Sequence, residues 1–228
     1  GLKHGTVTVL SKSPVEITTF RLESEYKDHR HPDSVKYVST IEEDLSRRDF
    51  TVNAMAYHPS HGLIDPYNGQ VDLKRKVIRC VGNPDRRFNE DALRMLRAYR
   101  FCAKLGFSMD ETVKKSIDTN ASLIQYVSIE RIVHELKEIM ETNPQVLSNM
   151  TLLLKPVFKE LDLALHCSQN SIYHYTDVLH HTLDAMSYLK PYDETLAFAL
   201  LFHDLGKVQV KTTDSKGKDH FKHHAMVG

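Results

Sequence analysis

The spacing of apolar and polar positions changes character near residue 81. Residues 6–10 (TVTVL) and 15–20 (VEITTF) are β-branched runs separated by Ser11-Lys12-Ser13-Pro14, which predicts the two strands of a hairpin. A period of two on the second run puts Glu16, Thr18 and Phe20 on one face and Val15, Ile17 and Thr19 on the other. Residues 21–38 are polar, rich in histidine and charge, and contain Pro32, which predicts a loop. A helix is expected over 41–57, and residues 64–73, with Asp65-Pro66-Tyr67-Asn68-Gly69, read as a turn between short strands. Beyond residue 81 apolar positions recur at helical spacing, predicting helices over 89–105, 110–119, 128–142, 149–165, 175–189 and 195–206. The expected fold class is α+β: a small, incomplete α/β head (residues 1–82), a helical neck (83–145) and a helical body (146–228).

Composition narrows this picture only in places. Hydrophobic residues make up 41% and charged residues 26% of the 228, as in an ordinary soluble protein. No apolar run approaches the roughly 20 residues needed to span a bilayer, so no membrane partner is expected. Cys80, Cys102 and Cys167 are widely spaced and unpaired in motif, which points to a reducing cytoplasm and away from a thiolate metal site. The net charge is zero, yet residues 74–104 hold ten Lys/Arg against three Asp/Glu. That stretch is either a solvated basic face or an anion-binding one. The chain opens on glycine and closes on glycine within an unfinished helical pattern, so both ends read as cuts.

The run Arg86 to Phe101 carries the most specific chemistry. Asn89 is the expected N-cap, with two acids in the first turn. Asp91, Arg94, Arg97 and Arg100 follow at intervals of three, each rotated about 60° from the last. One reading is an i,i+3 ion pair with exposed arginines. The other follows from donors and acceptors: an ionised Asp only accepts hydrogen bonds and an Arg only donates them. Side by side they match an exocyclic amine next to an unprotonated ring nitrogen, the pattern of cytosine and adenine and the reverse of guanine and uracil. A mismatched base would leave buried charges unpaired.

Glu90-Asp91-x-x-Arg94, extended by Arg97 and Arg100, resembles the nucleotide-selecting helix of class II CCA-adding enzymes and their poly(A) polymerase relatives. By that resemblance Asp91 and Arg94 pair with the base, while Arg97 and Arg100 contact the nucleotide or hold the site together. Arg47-Arg48-Asp49-Phe50-Thr51-Val52-Asn53 resembles the family's second head motif, which implies that Arg48 contacts the incoming nucleotide and that Asp49 and Asn53 are ribose-side or structural groups. Residues 65–69 resemble the link between head and neck, and residues 5–9 and 15–21 match head strands, with Glu16 a catalytic candidate facing the cleft. Residues 25–32 resemble the flexible element of members that add A.

The family's two-metal chemistry needs an Asp-x-Asp pair, and none occurs here, nor does a Gly-Gly or Gly-Ser pair. The expectation is therefore a truncated chain that selects nucleotide without polymerising, its Mg2+ site lying largely outside it. At the other end, His181-Thr-Leu, His203-Asp204 and His224 resemble the HD superfamily, which implies a second divalent metal on those four residues, Mn, Ni, Co or Fe as readily as Zn. Adjacent His and Asp in an apolar helix are costly to bury without a partner or a metal. The implied function is addition of CMP and AMP to tRNA 3′ ends from CTP and ATP. Poly(A) polymerase, an HD-type phosphohydrolase and a non-catalytic RNA-binding module are the alternatives, and the oligomeric state is left open.

Overall fold

The computed structural model describes residues 5–10, 12–23, 35–171 and 174–228. The first β-branched runs pair as an antiparallel ribbon, β1 (Thr6–Val9) with β2 (Val15–Thr18). Val7, Val9, Val15 and Ile17 stay exposed, so the ribbon adds nothing to the core. Part of the expected loop is instead a second antiparallel pair, β3 (Arg21–Glu23) and β4 (Val35–Tyr37). The element anticipated at residues 25–32 lies outside the described residues.

The helix expected over 41–57 stops early, at α1 (Ile41–Ser46). The chain then turns extended at Phe50, which bridges Cys80, while the Thr51 amide donates to the Arg79 carbonyl and the Val81 amide to that of Asp49. Burial of Phe50, which is fully enclosed and meets Phe101 edge-on at 5.6 Å, outweighs local helix preference. A 3-10 turn (Thr51–Asn53) leads to the hairpin β5 (Ala56–His58) and β6 (Gly62–Ile64). The Asp65–Gly69 turn then starts a helix, α2 (Gly69–Arg75), rather than a strand. Asp65 accepts from the amides of Gly69 (2.6 Å) and Gln70 (3.0 Å). A Cβ on Gly69 would fall 2.3 Å from the Thr51 carbonyl oxygen, so only glycine lets α2 approach that turn.

Strand β7 (Val77–Ile78) runs parallel to β8 (Ser108–Met109), and between them lie α3 (Pro84–Glu90) and α4 (Leu93–Leu105). The single helix expected over 89–105 is thus two. Asn83, not Asn89, caps the first by accepting from the Arg86 amide, with Pro84 at the opening position. The second starts after Asp91 turns extended and its carboxylate takes the Leu93 amide, competing with the helical ladder. Next come α5 (Glu111–Asn120), a 3-10 stretch (Ala121–Tyr126), α6 (Ile129–Thr142) and a 3-10 stretch (Pro144–Asn149). The helix expected over 149–165 is split at Pro156 into α7 (Thr151–Leu154) and α8 (Lys159–Leu165). Helices α9 (Val178–Ser187), α10 (Glu194–His203) and α11 (Lys207–Val210) follow, then the pair β9 (Thr212–Thr213) and β10 (Asp219–His220), and α12 (His224–Val227). No helix among the described residues is long and apolar enough to cross a membrane.

Helix α4 packs against α6, and their apolar faces lie in one buried cluster that runs from Phe50 and Ile78 through Met95 and Ile139 to Leu183 and Leu205. This core has members on both sides of 82/83 and of 145/146, the boundaries expected from the sequence. A smaller cluster of Leu45, Ala54 and Val81 seats the segment around α1. Phe50→Ala is expected to cost about 3–5 kcal/mol. In urea, backbone and tyrosine signals should still move together, because the helical units share that core.

Candidate functional site

Five arginines and two aspartates converge on a cleft of about 470 Å³. Arg47, Arg48 and Asp49 come from the turn after α1, Asn53 from the 3-10 turn, and Asp91 from the break between α3 and α4. Leu93, Arg94 and Arg97 come from α4, and Arg131 from α6. The wall is basic, but each guanidinium has an acid beside it. Arg47 and Arg48 meet the buried Asp44 at 2.7 and 3.1 Å. Arg97 meets Asp49 at 2.7 Å and Arg131 meets Asp91 at 2.9 Å. Arg94 meets Glu90 at 2.6 Å, and the same carboxylate holds Arg87 at 2.6 Å. Burial alone would raise the Asp44 carboxyl; hydrogen bonds from Arg47, the Arg21 amide and Arg48 outweigh it and hold it below the usual range.

Asp91 and Arg94 both line the cleft, and each forms an ion pair with another residue: Asp91 with Arg131 and Arg94 with Glu90. The break after Glu90 leaves that residue one helical turn before Arg94 and turns Asp91 toward α6. Arg94 also donates to the carbonyls of Arg87 (3.2 Å) and Arg47 (3.1 Å), which pins α4 to the segment after α1. The Arg48 side chain is 41% exposed, open to a ligand. Two guanidinium nitrogens in this cleft, Arg48 Nε and Arg131 Nη1, are buried without an acceptor among the described residues. An anionic or carbonyl-rich ligand would supply one.

Two expected residues stand elsewhere. Arg100 is absent from the cleft wall: its Nε lies 2.6 Å from Glu135 Oε2 of α6, and its guanidinium sits 4.8 Å from the centroid of the Phe101 ring. Three residues past Arg97, it has rotated onto the α4–α6 interface. Glu16 is exposed on β2 opposite Thr8, on a ribbon that contributes no residue to the cleft wall. The sequence reading missed Arg131, which is 40 residues from its partner Asp91 and has no local signature. It also missed Glu90 as the partner of Arg94, although the i,i+4 spacing was legible.

A second cluster gathers ligand-type atoms of His181, His203 and Asp204, all within 4.8 Å of one another. Asp204 Oδ2 lies 3.2 Å from His203 Nε2 and 3.8 Å from His181 Nε2, and Oδ1 lies 3.4 Å from His224 Nε2. Burial, then the Lys207 charge, pushes the His181 imidazole below its ordinary range, favouring the neutral form that ligates metals. Its hydrogen bond to Asp204 raises His203. This imidazole–carboxylate set fits a borderline divalent metal. The cost of burying Asp204 is nonetheless met within the chain, because Lys207 Nζ stands 2.7 Å from Oδ2.

Comparison with known proteins places these features. Residues 1–79 match the model of the poly A polymerase head domain, and residues 106–165 match that of the probable RNA and SrmB-binding site of polymerase A. A CCA-adding enzyme of Geobacillus thermodenitrificans (strain NG80-2) is 48% identical over 141 residues, 61% of this chain. The chain spans 35% of the length of that relative. Its fold is similar to the crystal structure of the Bacillus stearothermophilus CCA-adding enzyme in complex with CTP, with a TM-score of 0.59 and 30% identity, covering 88% of this chain and 59% of that one. It is also similar to a CCA-adding enzyme in complex with ATP, with a TM-score of 0.63 and 25% identity, covering 94% and 49%.

Glu90→Gln removes the charge that holds Arg87 and Arg94. A loss of about 1–3 kcal/mol is expected in urea unfolding, whereas Arg86→Ala, at the exposed side of the same carboxylate, should fall within about 0.5 kcal/mol of the parent.

Proposed function

The chain belongs to the class II RNA nucleotidyltransferase family of CCA-adding enzymes and poly(A) polymerases, and on that premise we propose that it is the nucleotide-selecting part of an enzyme that adds CMP and AMP to tRNA 3′ ends from CTP and ATP. The observation that carries this is an acceptor-only Asp91 and a donor-only Arg94 on one guanidinium-rich cleft. In this reading the Asp91 carboxylate accepts from the exocyclic amine of cytosine or adenine, and Arg94 donates to the adjacent ring nitrogen. GTP and UTP present the reverse pattern, setting an acceptor against the Asp91 carboxylate and a donor against the Arg94 guanidinium. Arg48 and Arg97 face the phosphates or ribose, with Arg97 oriented by Asp49.

Mg2+, when bound in this family's chemistry, stabilises the attacking 3′-oxygen and the leaving pyrophosphate. The residues of this chain do not fit that role, since the sequence holds no Asp-x-Asp pair. Its own groups select and orient a nucleotide, and the chain alone is expected not to polymerise. CCA addition is favoured over poly(A) synthesis because the relatives and solved structures described above are CCA-adding enzymes. We place the protein in the cytoplasm on its unpaired cysteines. The cluster of His181, His203, Asp204 and His224 is proposed as a separate divalent-metal site, on the convergence of its donor atoms.

Thermal unfolding with each nucleotide tests the base-reading assignment. CTP and ATP should raise the midpoint while GTP and UTP leave it within error, and Asp91→Ala should abolish the difference. Equal protection by all four, or discrimination that survives Asp91→Ala, rules the assignment out.

A further inference from the structure

We infer that Lys207 is the resident counter-cation of Asp204, and that a divalent ion enters the His181–His203–Asp204 cluster only in competition with it; the inference rests on the metal reading of that cluster given above. Lys207 opens α11, but its side chain turns inward and is only 6% exposed. The ammonium stands 2.7 Å from Asp204 Oδ2, donates to Gln169 Oε1 at 2.8 Å and lies 5.4 Å from the centroid of the Phe221 ring. Gln169 is itself buried, and its Nε2 donates to the Thr176 carbonyl, which aims the amide oxygen at Lys207. Two acceptors and an aromatic face form a site made for an ammonium ion.

The geometry sets lysine and metal against each other. Oδ2, the oxygen nearest His203 Nε2 and His181 Nε2, is also the one Lys207 holds. A divalent ion gathered by those imidazoles would meet the ammonium across a single carboxylate oxygen. Both residues are buried, so solvent screens that repulsion weakly. The ammonium cannot simply swing aside, because leaving would strand its own charge and the Gln169 oxygen. Lys207 therefore keeps Asp204 charge-paired without a metal and sets a threshold that an entering ion must overcome. Ions that gain most from imidazole, such as Ni2+, pass it more readily than the oxygen-preferring Mg2+.

Titration calorimetry with Ni2+ and with Mg2+, on the whole chain, reads this directly. Lys207→Met should bind Ni2+ about tenfold or more tightly than the parent, and its thermal midpoint should rise further on Ni2+ addition. Asp204→Asn should remove the binding in both backgrounds, which separates this site from the chain's other histidines. If Lys207→Met binds Ni2+ no more tightly than the parent while Asp204→Asn still abolishes binding, the competition is wrong and the metal reading stands. If Asp204→Asn changes nothing in either background, both fail. Should Lys207→Met not fold, Gln169→Ala, which strips one acceptor from the ammonium, must tighten Ni2+ binding severalfold; unchanged affinity there overturns the competition equally.

Discussion

A single carboxylate, that of Glu90, holds the buried guanidiniums of Arg87 and Arg94, and the geometry of the cleft depends on it. Arg87 reaches the Ser46 carbonyl at 3.1 Å and Arg94 reaches that of Arg47 at 3.1 Å. One acid thus binds the end of α3 to the start of α4 and docks both against the segment after α1. With that junction fixed, the backbone can break at Asp91 without the two helices drifting apart. The break places an acceptor beside a row of donors.

Much of the fold was legible because its signals are local. The β-branched runs gave the first ribbon, Asp110 and Ser128 marked where α5 and α6 begin, and the apolar spacing gave the helical body. The misses share a cause. The helix expected over 41–57 was overruled by Phe50, whose burial against Phe101 and bridge to Cys80 involve residues 51 and 30 positions away. The break at Asp91 was hidden because a carboxylate at that position suits a first helical turn as well as it suits taking the Leu93 amide. Strands β3 and β4 pair across residues 24–34 with too few apolar positions to register as a pattern.

The site was legible by residue type but not by pairing. Arg48, Asp91, Arg94 and Arg97 gather on one wall, whereas Arg100 and Glu16 do not. Arg100 shows how much a rotation of about 60° decides: three positions beyond a cleft residue, it pairs with Glu135 inside the α4–α6 interface. Arg131, the partner of Asp91 from 40 residues away, became visible only in three dimensions. Lys207 stands three residues after Asp204, within local reach of it, and the fold shows it turned inward onto that carboxylate. The two clusters then differ in character: the cleft keeps buried donor nitrogens without acceptors among the described residues, while around Asp204 an internal ammonium already balances the charge.

Crystals of the chain grown with CTP give the most direct view of whether Asp91 and Arg94 read a base. The predicted arrangement puts the cytosine amine at hydrogen-bond distance, about 2.7–3.2 Å, from an Asp91 carboxylate oxygen and the ring nitrogen at that distance from the Arg94 guanidinium. A pyrimidine ring seated away from both side chains, with only the triphosphate in the cleft, would contradict it.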